Sequence, residues 1–188
     1  MTNVAFESIE DYRDVETLNM YKEVVGEKGA DPQEILKVIH AKSRDNARTP
    51  MQWDAGGQAG FTSGTPWIKV NPNYRRINVQ QALEDPDSVF YYYQKLIRLR
   101  KENPVIVYGS YDLIPDTDER IYAFTRTLED DRLLVILNFS SESPVFNLPA
   151  DIPLHNADLM ISNYDVDPSQ DVRQIMLRPY EARVYRLS

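Results

Sequence analysis

The side chains able to do chemistry in this 188-residue chain crowd into one stretch, SRDNARTPMQWD, residues 43–54. Arg44 and Arg48 lie four residues apart there, among Asp45, Asn46 and Asp54, with Trp53 close behind. Arginine presents a planar fork of donors that stays charged at any working pH. Two of them in an ordered loop, beside carboxylates and an indole, suit a ligand crowded with hydroxyls or carboxylates. A sugar fits: its hydroxyls take charge-assisted hydrogen bonds while its CH face lies on an aromatic ring. A plainer reading stands beside this one, in which both arginines pair with Asp45, Asp54 or a more distant acid and merely pin the loop.

Other chemistries find less support. Cleaving a glycosidic bond needs two carboxyl groups roughly 5–5.5 Å apart for retention, or 6.5–9.5 Å for inversion. Asp11, Asp14 and Glu16 are acids, but they cluster at a predicted helix start, where acids compensate the dipole; none is read as nucleophile or general acid. His40 and His155 are isolated, without metal-ligand spacing, and are read as structural. The chain has no cysteine, which removes disulfides and thiolate catalysis and favours a reducing, cytoplasmic setting. No P-loop, GxGxxG or Ser–His–Asp arrangement is visible, and no cofactor or metal is expected. A net charge of −8 and a pI near 4.8 argue against nucleic acid or an anionic membrane as partner. No apolar run approaches the roughly 20 residues of a membrane helix, and the N-terminus lacks the features of a signal peptide.

Three zones must position these residues. Residues 11–27 predict a helix with Asp14 near its start and Gly26 as its stop. Residues 31–43 predict a second, with Asp31 as N-cap, Pro32 as first helical residue and Glu34 as acidic partner. Residues 44–88 read as irregular, rich in turn formers yet carrying Trp53, Phe61, Trp67 and Tyr74, so they read as ordered and functional. A strong helix over 85–104 follows, with Val89, Tyr92 or Tyr93, Leu96 and Leu99 on one face and Pro104 as its end. The run FYYYQKLIRLR inside it is read as core packing. Beyond 104 the period changes to short β-branched and aromatic runs: 105–114, 120–128, 132–140, 144–148, 157–164, 173–177 and 181–187. Turn signals such as PDTDE, EDD and LPADIP separate them, which predicts a small antiparallel sandwich.

With RTPMQWD, GFTSGTPWIKVNPNY (60–74), the stretch 77–113 and RPYEARVYRL (178–187) taken together, the chain resembles the C-terminal part of the oligo-1,6-glucosidases. That group belongs to glycoside hydrolase family 13, the α-amylase superfamily, beside trehalose-6-phosphate hydrolases and dextran glucosidases. The match runs nearly end to end. The resemblance implies an α+β chain: residues 1–104 would be the C-terminal end of a (β/α)8 barrel, with active-site loop and last helices. Residues 105–188 would be an antiparallel β-domain packed on that barrel, and MTNVAF would follow the last barrel strand. It implies further that the catalytic carboxylates lie in upstream polypeptide, so this chain carries no catalytic residue. Arg48 resembles the arginine that grips the sugar in the cleavage subsite; Arg44 and Glu16 resemble residues on the leaving-group side. The implied partners are a gluco-oligosaccharide and the upstream barrel, with no nucleic acid and no membrane; a free-standing sugar-binding or structural β-module is the rival from another class.

Overall fold

The computed structural model describes residues 2–115, 118–167 and 169–188. Met1 of the opening motif and Asp116 and Thr117 of the PDTDE turn lie outside the described residues. The chain forms two compact units, residues 1–94 and 95–188.

In the first unit, helix α1 (Val15–Tyr21) starts where Asp14 caps it, its carboxylate accepting the Thr17 N–H. The helix then widens into a π-helical segment, Lys22–Glu27, so Gly26 does not stop it. The stop is Gly29, whose φ of +71° is the left-handed conformation a glycine reaches without a Cβ clash. Helix α2 (Pro32–Lys42) begins as its sequence predicts, with Asp31 accepting the N–H groups of Gln33 and Glu34 and Pro32 in the first turn. It buries Leu36 and Ile39 against Val4, Phe6, Tyr12 and Ile68, and the Phe6 and Tyr12 rings meet edge to face at 5.2 Å. His40 is part of this scaffold, its Nε2 lying 2.8 Å from the Phe6 carbonyl oxygen. Asn46 ties the segment at residue 4 to the same place: its Oδ1 accepts the Val4 N–H at 3.0 Å and its Nδ2 donates to the His40 carbonyl at 3.1 Å.

The irregular zone is ordered by short-range polar bonds. A 3₁₀ turn, Arg44–Ala47, is capped by Ser43. Asp54 accepts the Gly56 N–H at 2.7 Å and leaves no room at Gly60, where a Cβ would run into the Asp54 carboxylate. The zone also contains a helix that its composition hides, α3 (Val79–Glu84), started by the Asn78 side chain accepting the Gln81 N–H.

Helix α4 (Val89–Glu102) follows, and no residue of it is buried. Val89, Phe90, Tyr93, Leu96 and Ile97 are exposed, which corrects the reading of its aromatic run as core. Of the predicted apolar face, Tyr92 and Leu99 are half-buried, while Val89 and Leu96 are open to solvent.

In the second unit Pro104 ends α4 by opening a further helix, α5 (Pro104–Tyr108). Strand β1 (Ser110–Ile114) therefore starts only after Gly109, not at residue 105. Proline's fixed φ favours the first helical position, and this outweighs the β-branched Val105-Ile106-Val107 run. Strands β2 (Ile121–Leu128), β3 (Asp131–Asn138), β4 (Val145–Asn147), β5 (Ala157–Ser162), β6 (Gln174–Met176) and β7 (Ala182–Leu187) match the remaining runs to within a few residues. The larger sheet has the order β1-β2-β3-β7-β5, and β4 pairs with β6 in a second. Every pairing among the described residues is antiparallel. Ile114, Ala123, Leu134, Ile136, Tyr185 and Leu187 on the large sheet share one core with Phe146 and Ile175 of the small one, the packing of a sandwich.

One end of that sandwich is polar. Glu181 is fully buried, and its carboxylate takes the Arg178 N–H at 2.7 Å, the Arg178 guanidinium at 3.0 Å and the Arg183 Nε at 2.9 Å. Arg183 is itself buried, and its Nη1 donates to Gln170 and to the Tyr185 hydroxyl. No described helix is long and apolar enough to cross a membrane.

Candidate functional site

Chain entry into α1 and the 3₁₀ turn after α2 converge on one buried carboxylate. Asp45 is completely inaccessible. Its Oδ2 accepts the backbone N–H groups of Arg13 at 2.6 Å and Asp14 at 2.9 Å, and its Oδ1 lies 3.5 Å from the Arg48 guanidinium. Asp14, also buried, takes the same Arg48 Nη1 at 3.1 Å. Behind them the Thr17 hydroxyl donates to Asp14 at 2.9 Å and sits 3.2 Å from the Ser43 hydroxyl, which accepts the Asp45 N–H.

The result is an arginine with one nitrogen clamped between two carboxylates while 41% of its side chain faces solvent. Two acids surround one guanidinium, and the surplus negative charge is balanced by backbone N–H groups at the start of α1, where the helix dipole favours an anion. Burial works against the charged form of Asp14, but the Thr17 N–H and hydroxyl and the Arg48 guanidinium outweigh it and hold its carboxyl below the ordinary value of 3.8. These bonds use the Asp14 carboxylate as an acceptor, whereas a general acid needs a raised pKa.

Arg44 and Glu16 meet at 2.8 Å with both side chains mostly exposed. A solvated pair of this kind stabilises the fold by about 1 kcal/mol or less, so its geometry serves the surface it sits on more than the fold. That surface is an open depression of about 810 Å³ lined by Asp14, Glu16, Arg44, Arg48 and Trp67 among others. All three residues singled out from the sequence therefore share one hollow.

Of the acids weighed as partners for the arginines, Asp45 does hold Arg48, joined by Asp14 from 34 positions away, whereas Asp54 serves its own turn. The indole at the hollow is Trp67, which is 65% exposed. Trp53 instead carries backbone bonds from its N–H to Ala59 and from Gln80 to its carbonyl. The only early sign of Trp67 was its place in the PWI motif. Among the described residues no group of histidine, aspartate and glutamate could hold a metal ion.

The carboxylates give the structure a pH signature. Asp14 and Glu181 both have lowered values in the folded chain; for Glu181, burial opposes the charge and the Arg178 and Arg183 hydrogen bonds overcome it. A carboxylate with a depressed folded pKa contributes stability above its unfolded value and loses it as pH falls through the folded value. Urea midpoints are therefore expected to be flat from pH 7 to pH 5 and to drop steadily below about pH 4. Asp14→Asn should flatten that drop for tryptophan fluorescence, since both tryptophans lie in the first unit.

Residues 1–109 match the family described as "Alpha amylase, catalytic domain", and residues 111–184 that described as "Maltogenic Amylase, C-terminal domain". An oligo-1,6-glucosidase of Parageobacillus thermoglucosidasius is 63% identical over 187 residues, covering 100% of this chain and 33% of its own length. One from Bacillus cereus is 57% identical with the same coverage. The crystal structure of Bacillus licheniformis trehalose-6-phosphate hydrolase superposes with a TM-score of 0.93 at 47% identity, over 100% of this chain and 34% of that one. This chain thus spans about a third of the length of the relatives it matches. It belongs to the α-amylase family, as the end of a catalytic domain followed by a C-terminal antiparallel domain.

Proposed function

We propose that the chain is the C-terminal third of a retaining α-glucosidase that hydrolyses α-1,6-linked gluco-oligosaccharides such as isomaltose. On this reading residues 1–104 complete the catalytic domain, and 105–188 are its β-domain. The observation that carries it is the hollow in which Arg48, Arg44 and Glu16 stand together beside an exposed indole. Sugar hydroxyls suit the guanidinium and carboxylate edges, and the CH face of a ring suits Trp67. The role of Arg48, Arg44 and Glu16 is to bind and orient. Bond cleavage needs a nucleophile and a proton donor that upstream polypeptide supplies, and their absence costs several orders of magnitude in rate. A cysteine-free composition fits work in the reducing cytoplasm.

A trehalose-6-phosphate hydrolase is the second reading, favoured by the 47% identity to that structure. Against it, Arg44 and Arg48 both already face carboxylates, so neither offers the uncommitted charge that a phosphate seeks.

The purified chain is expected to release no glucose from isomaltose. Fused behind the upstream two thirds of the P. thermoglucosidasius enzyme, it should give a chimera that does. A chimera that folds but leaves isomaltose intact, or a chain that turns it over unaided, would refute this reading.

A further inference from the structure

We propose that Asp45 is a positioning residue: one buried carboxylate sets both the Arg48 guanidinium and the first turn of α1, which carries Glu16. Its two oxygens divide the work. Oδ2 holds the Arg13 and Asp14 N–H groups at 2.6 and 2.9 Å, fixing the backbone immediately before α1 and hence the place where Asp14 caps it. Oδ1 faces Arg48 at 3.5 Å. Arg44 and Arg48 flank Asp45 at one residue before and three after, so both arginines leave the same short turn. Asp45 contributes nothing to the hollow directly, being fully buried. Yet it fixes the distance between the Arg44–Glu16 pair on one side and Arg48 on the other. Because Nη1 of Arg48 is spent on Asp14 and Asp45, its Nη2 and Nε have no protein partner among the described residues and remain for a ligand.

The activity test rests on the proposed glucosidase reading and uses the chimera. Asp45→Asn keeps the shape but turns one acceptor oxygen into a donor, so it cannot hold the backbone N–H pair and the guanidinium together. It is expected to lower kcat for isomaltose by about 10–100-fold, since a displacement of about 1 Å at a reacting centre can cost that much. KM should change far less. In an Arg48→Ala chimera the part of the Asp45→Asn loss that runs through the guanidinium should vanish and only the part that runs through α1 remain. The two losses then combine to less than their product, which a general loosening of the fold would not reproduce. Effects that multiply, or an unchanged kcat, overturn the proposal.

If Asp45→Asn does not fold, nitrogen NMR of the unaltered 188-residue chain decides. Rotation of the Arg48 guanidinium should be slow beside that of Arg44, and equal rotation overturns the proposal. A wild-type chimera without activity counts against the glucosidase reading alone, and the guanidinium measurement then decides the role of Asp45.

Discussion

Replacing Arg48 by alanine in the chimeric glucosidase is expected to lower kcat/KM for isomaltose by about 10²–10³-fold, the cost of deleting one preorganised donor from a reaction centre. The magnitude follows from how the side chain is held. A free surface arginine would give back in ordering entropy much of what it gained on binding sugar. Arg48 has already lost that freedom, because Asp14 and Asp45 fix one nitrogen and the loop fixes the backbone. Arg48→Lys should recover less than a tenth of the lost activity, since an ammonium has no fork and cannot reach two acids and a ligand in one plane. Steady-state kinetics on the three chimeras, with melting temperatures as the folding control, decide it. A lysine variant as active as wild type would mean that Arg48 supplies charge alone.

The second large effect lies far along the chain. Glu181→Ala is expected to destabilise residues 95–188 by about 3–5 kcal/mol, the cost of breaking a buried ion pair and leaving its cation in place. Arg183 would keep only Gln170 and the Tyr185 hydroxyl as partners, both neutral, and the Arg178 N–H would lose its acceptor. Domains are stable by only about 5–15 kcal/mol in total, so much of the β-unit's margin goes. Amide exchange in β3 and β7 reports this unit separately, while tryptophan fluorescence reports the other. The double variant Glu181→Leu/Arg183→Met should regain most of the loss, because an apolar pair replaces a buried ionic one at little cost. Exchange rates in β3 and β7 that match wild type in Glu181→Ala would dismiss the ion pair as a stabilising element.

How far the sequence could be read depended on the range of the signal. Helix α2 was legible because its signals are adjacent: Asp31, Pro32 and Glu34 act within one turn. The β-runs were legible for the same reason, as alternation is local. Helix α5 was misread because Val105, Ile106 and Val107 favour strand, while the single residue that decides, Pro104, had been counted as the end of α4. The tyrosine run of α4 has the periodicity of a buried face, but burial depends on what lies opposite, and periodicity is silent on that. At the site, Arg44 and Arg48 stood out by residue type, and Glu16 only through the family resemblance. Of the acids behind Arg48, Asp45 was legible as a near neighbour in sequence, whereas Asp14 was not, because it lies 34 positions away. No local pattern distinguishes it from Asp11 or Glu16. Trp67 and Trp53 likewise differ only in where the loop folds them.

Strand β7 stands between β3 and β5 in the large sheet, although it is the last of the seven to be synthesised. On the ribosome β5 has no neighbour to pair with until residues 182–187 emerge, while β1, β2 and β3 can already form a meander. The nascent meander therefore carries at β3 a second raw edge, beside that of β1, for the whole time that residues 139–181 are being made. Slow codons or a stalled ribosome in that interval would prolong the period in which a neighbouring nascent chain can claim the vacant place.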